Sequence, residues 1–163
     1  IFSKGHRNPQ GLYVEGKTIL STEHGPEGGD EINKIVIGKN YGWPLASYGT
    51  YYNTNEKKYL KSHVKYGYEE PIFTYIPAIG ISEIVKIPNE FLNEDDLDNI
   101  FFISSLNGKS LFLVKFGKNF EKIIFSEKIF IDQRIRDLKY VQKFNSFLLA
   151  LEKPSQLAII KKQ

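Results

Sequence analysis

Short runs of β-forming residues follow one another along almost the whole chain, and clusters of turn-forming residues separate them. Hardly any segment shows the period of an amphipathic helix, so helical fold classes are excluded first. Glu15-Gly16 between the first two runs is a hairpin turn signal. The pattern predicts an all-β fold, with strands at 11–14, 17–22, 31–37, 82–87, 99–105, 110–116, 122–130, 135–141, 146–151 and 156–161.

The grouping of the runs favours one β architecture. Residues 82–130 contain four consecutive strands of antiparallel type, which is the unit of a β-propeller blade, whose repeats span roughly 40–50 residues. The last unit has three strands, and the first unit is incomplete at its front. Because a closed ring needs at least about four blades, the chain is expected to form a partial propeller, about half of one. Strand spacing alone leaves a β-sandwich open as the alternative.

Two connections interrupt the β pattern. Residues 45–70 are rich in Tyr, Asn, Gly and Lys and poorly periodic, so an irregular surface excursion is expected there. Residues 88–98 form an acidic connection that is expected to hold one helical turn.

Composition narrows the function classes. The 163 residues carry a net charge of +3 without a dense basic stripe, so no nucleic-acid partner is expected. No apolar run approaches the roughly 20 residues of a membrane span. The absence of cysteine excludes disulfides and a thiolate nucleophile, and the absence of methionine predicts a processed chain or a piece of a longer one.

Arginine is rare in this chain. Of 22 basic residues only Arg7, Arg134 and Arg136 are arginines, and the other nineteen are lysines. A guanidinium is a planar fork that binds carboxylates bidentately, which an ammonium cannot do. The three arginines therefore indicate a site for an anionic, polycarboxylate-like ligand, with ordinary surface cations as the alternative.

The segment Thr22–Glu31 concentrates acids and glycines around His24 and Gly25-Pro26. Carboxylates and exposed backbone carbonyls are the ligands that calcium prefers. The segment is a candidate calcium loop, and a solvated acidic turn is the alternative.

Three blocks of sequence, in this order and spacing, resemble the glucose/sorbosone dehydrogenase family. They are Gly5-His6-Arg7-Asn8-Pro9-Gln10-Gly11, then Thr22-Glu23-His24-Gly25-Pro26 with Asp30-Glu31-Ile32-Asn33, then Gly38-Lys39-Asn40-Tyr41-Gly42-Trp43-Pro44. Gln133–Asp137 extends the resemblance toward the C-terminus. The family consists of soluble quinoprotein sugar dehydrogenases on a six-bladed β-propeller, so the resemblance implies that residues 1–163 are the C-terminal portion of one such domain.

The resemblance also implies roles for particular residues. Pyrroloquinoline quinone (PQQ) and calcium are the implied cofactors. Gly25 and Pro26 match the positions whose backbone carbonyls bind the active-site calcium, and Glu31 and Tyr41 match a second, structural calcium. The residues implied to contact PQQ are Arg7, Asn8, His24, Arg134 and Arg136.

Two departures from the family pattern bear on activity. Asn107 stands where the family commonly has a lysine, and Lys109 follows two residues later as a candidate substitute. None of the three histidines corresponds to the family's general base, which lies in the N-terminal half of the propeller. The chain alone is therefore expected to be inactive, although the whole protein is expected to oxidise an aldose to its lactone.

The resemblance implies partners and a location as well. The expected partners are an aldose, an electron acceptor, and the missing N-terminal half of the propeller or a second copy of the chain. Family members are typically exported, which implies a periplasmic or secreted protein. The alternative function is that of a non-catalytic propeller that keeps the scaffold for binding.

Overall fold

A computed structural model describes residues 1–52, 58–92 and 98–162. The chain divides into two compact units, Ile1–Ile81 and Ser82–Gln163. The strands are β1 Pro9–Glu15, β2 Thr18–Glu23, β3 Asp30–Lys34, β4 Phe73–Tyr75, β5 Ile81–Lys86, β6 Ile100–Ser105, β7 Ser110–Phe116, β8 Ile123–Phe130, β9 Ile135–Val141, β10 Ser146–Leu151 and β11 Gln156–Lys161. One short helix, α1 (Asn89–Leu92), and 3₁₀ turns at Val64–Tyr66 and Gln142–Phe144 complete the described elements. The predicted helical turn between 88 and 98 is thus present, and residues 93–97 lie outside the described part.

The first unit contains a four-stranded antiparallel sheet in the order β1-β2-β3-β4. Glu15 pairs with Thr18 across the predicted hairpin, and Gly16 adopts a φ of 57°, which the turn requires. The sequence-based expectation of an incomplete first unit is wrong, because β4 supplies the fourth strand. This strand has only three residues, too few for an alternating pattern to stand out, and it pairs with β3 through Ile32 and Phe73.

The predicted excursion at 45–70 is irregular in its described part, but it is not confined to the surface. Ala46, Ser47, Tyr59 and His63 are all buried. The Nζ of Lys61 donates to the carbonyl oxygens of Ser47 and Tyr48 at 3.1 and 3.0 Å and also to that of Gly49. The segment therefore folds back into the first unit, and the part of the prediction that falls on 53–57 lies outside the described residues.

The second unit contains two antiparallel sheets, one in the order β5-β6-β7-β8 and one in the order β11-β10-β9. Every residue of β6 is buried, whereas most of β8 is exposed, so the core lies toward the first strands of the sheet. Phe147 of β10 packs edge-on against Phe91 and Phe102, with ring centroids 4.9 and 5.1 Å apart. The hydroxyl of Ser82 donates to the carbonyl of Ile135 at 2.6 Å and fixes β5 beside β9.

The longest described helix, α1, has four residues, so no helix in the described part of the chain could cross a membrane.

Candidate functional site

Arg7 is held from three sides in the first unit. Its backbone N–H donates to Oε2 of the buried Glu23 at 2.8 Å, and its Nη1 donates to the carbonyl of His24 at 3.2 Å. Its Cζ lies 5.4 Å from the centre of the Trp43 ring, within cation–π range. The guanidinium therefore has a fixed position before any ligand binds.

His24 and Asn8 lie beside Arg7. The backbone N–H of His24 donates to the carbonyl of Asn8 at 3.1 Å, which joins the two segments. The ring Nε2 of His24 contacts the carbonyl of Ile81. Because a carbonyl can only accept, this nitrogen carries a proton and donates it. Asn8 is exposed, and its side-chain oxygen accepts from Gln10 at 3.0 Å.

The backbone at Gly25 and Pro26 is arranged tightly. A Cβ on Gly25 would lie 2.3 Å from the carbonyl oxygens of Gly28 and Gly29, so only glycine fits this position. Within residues 1–52, 58–92 and 98–162, no hydrogen bond reaches the carbonyl oxygen of Gly25 or of Pro26. Neither carbonyl oxygen is thus engaged as an acceptor within those residues.

Asp30 holds this loop in place, a role that the sequence did not reveal. Its Oδ1 accepts from the N–H of Gly25 at 3.1 Å. Its Oδ2 accepts from the N–H groups of Ile79 and Ile81 at 3.0 and 2.9 Å. Buried backbone donors need such partners. The position of Asp30 among glycines was the available signal, but its three partners are set only by the fold.

A cluster of polar side chains lies behind the loop. Nδ2 of the buried Asn33 donates to Oε1 of Glu23 at 2.7 Å and to Oε2 of Glu31 at 3.2 Å. The fully buried His63 lies with Nδ1 3.4 Å from Oε2 of Glu70 and Nε2 4.0 Å from Oε1 of Glu31. Carboxylates outnumber the cations that could neutralise them.

This imbalance is visible in the acid–base properties of the cluster. Burial, followed by repulsion from Glu23, raises the pKa of Glu31 to about 8. Burial also lowers the pKa of His63, so the histidine is poorly suited to supply the missing positive charge. A cation bound near Glu31 would relieve both the burial cost and the repulsion.

Tyr41 lies at the edge of the same cluster. Its hydroxyl accepts from the N–H of Val36 and donates to the carbonyl of Lys34, and its ring stacks on His6 at 4.5 Å. Because the hydroxyl is occupied by backbone, Tyr41 could bind a cation only through its own carbonyl oxygen.

A small pocket brings several of the predicted residues together. Its wall includes Arg7, His24, Gly25, Glu31 and Tyr41. In the described part of the chain, no group of three or more His, Asp or Glu side chains is arranged as a metal site. A cation here would therefore depend on backbone carbonyls as much as on carboxylates.

Arg134 and Arg136 form a second cluster, in the second unit. Arg134 immediately precedes β9, and Nε of its guanidinium donates to Oε2 of Glu152 at 2.9 Å. Nη2 of Arg136 lies 3.2 Å from the same oxygen. Glu152 did not figure among the sequence-based candidates, because no motif joins it to residues sixteen and eighteen positions earlier.

Lys109, the candidate substitute for the lysine missing at Asn107, lies beside the segment that leads to Arg134. Its carbonyl accepts from the N–H groups of Ile131 and Asp132, both at 3.0 Å. Its Nζ forms an ion pair with Oδ1 of Asp132, also at 3.0 Å.

Comparison with known proteins places these features in a family. The sequence model of the glucose/sorbosone dehydrogenase family matches residues 1–160. Aldose sugar dehydrogenase YliI of Escherichia coli K12 is 35% identical over 146 residues, which are 85% of this chain and 38% of that protein. Quinoprotein glucose dehydrogenase B of Acinetobacter calcoaceticus is 54% identical over 50 residues, 29% of this chain and 10% of that protein.

A crystal structure of a glucose dehydrogenase matches the fold. It aligns with a TM-score of 0.84 at 30% identity and covers 100% of this chain and 47% of the matched chain. The predicted all-β fold, a partial propeller built of four-stranded antiparallel blades, is confirmed. The chain spans less than half the length of these relatives.

Proposed function

Because this chain belongs to the glucose/sorbosone dehydrogenase family, we propose that it forms part of a sugar dehydrogenase that uses PQQ and calcium. In the whole protein an aldose is oxidised to its lactone, and the electrons pass to an external acceptor. The chain contributes the cofactor-binding side of the site. The protein is exported to the periplasm or secreted, as the resemblance implies.

One observation carries the proposal. All three arginines of a chain that otherwise uses lysine have specific partners that fix their orientation: Trp43 and His24 for Arg7, and Glu152 for Arg134 and Arg136. PQQ is a planar tricarboxylate, and oriented guanidinium forks are the groups best suited to bind it. Asn8 and His24, next to Arg7, supply further polar contacts.

The calcium assignment is supported by the oxygen atoms of the first unit. In the described structure the carbonyls of Gly25 and Pro26 accept no hydrogen bond, and Asp30 holds their loop. Glu31, with the carbonyl of Tyr41, would take the second, structural ion. The groups that Arg7, Arg134 and Arg136 and the Gly25–Pro26 carbonyls would hold are PQQ, which would supply a hydride acceptor, and calcium, which would supply a Lewis acid for the quinone.

The general base is assigned to a residue outside this chain. His63 is fully buried, both ring nitrogens of His6 contact Ser3 and Glu23, and Nε2 of His24 contacts Ile81. These contacts support a division of the site in which the chain binds the cofactor and the missing half of the propeller removes the proton. On this proposal the isolated 163 residues do not turn over sugar.

A non-catalytic propeller is the second candidate. Asn107 favours it, because this exposed residue stands where the family commonly has a lysine. In that case the arginine clusters would bind another anion, or a protein carboxylate, without redox chemistry.

The test is a titration of the full-length protein with PQQ and calcium, followed by cofactor absorbance. We expect calcium-dependent PQQ binding and bleaching of the quinone absorbance on addition of an aldose. PQQ binding without bleaching would favour the non-catalytic candidate. No PQQ binding at all would overturn the proposal.

A further inference from the structure

Glu152 contacts both arginines of the second unit through a single oxygen atom. Its Oε2 accepts from Nε of Arg134 at 2.9 Å and lies 3.2 Å from Nη2 of Arg136. The N–H of Glu152 also donates to the carbonyl of Arg134 at 2.9 Å. Glu152 follows β10 directly, so this backbone bond holds the carboxylate opposite the two arginines.

The two guanidinium groups would otherwise repel each other. Arg134 lies just before β9 and Arg136 is the second residue of that strand, and both guanidinium groups reach the same oxygen of Glu152. A carboxylate between them neutralises one of the two positive charges and gives both side chains a common partner. The net charge of the three groups stays at +1, which still attracts an anion.

The contacts leave most of the hydrogen-bond donors unused by Glu152. A guanidinium has five N–H donors in a fixed plane. Glu152 engages Nε of Arg134 and so leaves both terminal nitrogens of that group, and it engages only Nη2 of Arg136. Glu152 therefore does not occupy the edge of Arg134 formed by the two terminal nitrogens. A ligand carboxylate could bind bidentately to that edge.

We propose that Glu152 is a positioning residue, which orients Arg134 and Arg136 toward an anionic polycarboxylate ligand. The inference rests on the proposed function, since PQQ is a ligand of this class. Glu152 does not touch the reacting atoms; it acts through the arginines. The opposite role, in which Glu152 occupies the anion site and competes with the ligand, predicts that removing it tightens binding.

The direct test measures PQQ affinity of the full-length protein and its E152Q, E152D and E127Q variants. E152Q keeps the side-chain volume but loses the charge, and we expect its affinity for PQQ to fall roughly fivefold. E152D keeps the charge on a shorter side chain, and its affinity should lie between those of E152Q and the wild type. Glu127 is exposed on β8, and no described ion pair joins it to either arginine, so E127Q should bind PQQ as the wild type does. An E152Q variant that binds PQQ equally well or more tightly overturns the inference.

A second measurement does not depend on the cofactor. In the ligand-free protein, the Nε–H proton of Arg134 should exchange slowly in nuclear magnetic resonance spectra, because it is bonded to Glu152. The E152Q variant should show weaker protection, because a neutral amide oxygen is a poorer acceptor than a carboxylate, while its backbone spectrum stays folded. Rapid exchange of the Arg134 Nε–H proton in the wild type would contradict the hydrogen bond between Arg134 and Glu152. If the wild type shows no PQQ binding, the proposed function fails, and this measurement still decides whether Glu152 holds the arginines.

Discussion

At the scale of single residues, Arg7 shows what a guanidinium provides that an ammonium does not. Its Nη1 donates to the carbonyl of His24 while its Cζ lies 5.4 Å from the centre of the Trp43 ring, and the His24 contact uses one of its five N–H donors. A lysine ammonium is a point charge with three donors and no plane, so it could not make both contacts and still bind a ligand carboxylate bidentately.

We therefore expect Arg7→Lys to weaken PQQ binding about tenfold in the full-length protein. The net charge is unchanged, so the loss would report geometry and not long-range attraction. Equilibrium titration of cofactor absorbance measures it, and Lys17→Arg, in the exposed turn of the first hairpin, is the control. Equal affinities of Arg7→Lys and the wild type would show that charge alone matters at this position.

Glu31 gives a prediction about pH. Its pKa is raised from 4.5 to about 8 by burial and by Glu23, so the folded protein holds a proton that the unfolded chain releases. The free energy of unfolding should therefore fall as the pH rises from 4.5 to 8 in the absence of calcium. Glu31→Gln removes this dependence, and at pH 8 the variant should be more stable than the wild type by on the order of 4 kcal/mol.

Urea denaturation of the calcium-free protein at pH 5 and pH 8 measures this effect. Added calcium should stabilise the wild type at the higher pH more than it stabilises Glu31→Gln, because the variant lacks the carboxylate proposed for the second ion. Glu27→Gln is the matched control, because Glu27 is an exposed acid of the same loop. A wild type whose stability does not fall between the two pH values would contradict the assignment.

At the scale of secondary structure, the pattern of β-forming runs between turn clusters identified ten of the strands within a few residues. It did not identify β4. A three-residue strand such as Phe73–Tyr75 is defined by its pairing with β3. The residues of such a short strand do not by themselves predict which strand it pairs with. The burial of His63 and Tyr59 was missed for a related reason, since a tyrosine-rich irregular segment has no period that marks its inner face.

The residues of the candidate site also fall into two groups, those that the sequence suggested and those that only the structure revealed. Residues within contiguous motifs, such as Arg7 and Gly25, could be proposed as candidates from sequence. Asp30 and Glu152 act through backbone or side-chain partners that lie across strands and turns, so their roles follow only from the fold. The contacts between residues that are distant in the sequence are therefore the main feature that could not be predicted from the sequence.

Asp30 leads to a prediction for the loop that contains Gly25 and Pro26. Its two oxygens accept three backbone N–H donors, and an asparagine has one oxygen to offer them. Asp30→Asn leaves at least one buried donor unsatisfied, so we expect a loss of about 2 kcal/mol in the free energy of unfolding. Calcium affinity should fall as well, because the loop is no longer held.

Chemical denaturation and calcium titration of the full-length protein measure the two effects. Asp132→Asn is the control, since this acid is exposed and paired with Lys109, so its substitution should change neither quantity appreciably. An Asp30→Asn variant with unchanged calcium affinity would separate Asp30 from the calcium proposal.

At the scale of the whole molecule, the first unit has an apolar surface that suits a larger protein than these 163 residues. Leu12 and Val14 are 65% and 59% exposed on β1 and lie on one face. Their cross-strand partners on β2 are Ser21 and Ile19, and all four line one apolar groove. Relatives of about twice the length have further chain that could cover such a face.

We expect the effect of Leu12→Glu to depend on whether the rest of the protein is present. In the full-length protein the substitution would place a charge in a sheet-to-sheet contact, and the free energy of unfolding should fall by roughly 2–3 kcal/mol. In the 163-residue chain the same face is open to solvent, so stability should change little and self-association should decrease. Denaturation and light scattering of the full-length protein and of the 163-residue chain measure the two results, with Lys118→Glu in an exposed turn as the control. If Leu12→Glu had the same effect on the full-length protein and on the 163-residue chain, the remainder of the propeller would not cover this face. If the 163-residue chain were then also dimeric, a second copy of the chain would be the favoured partner for this face.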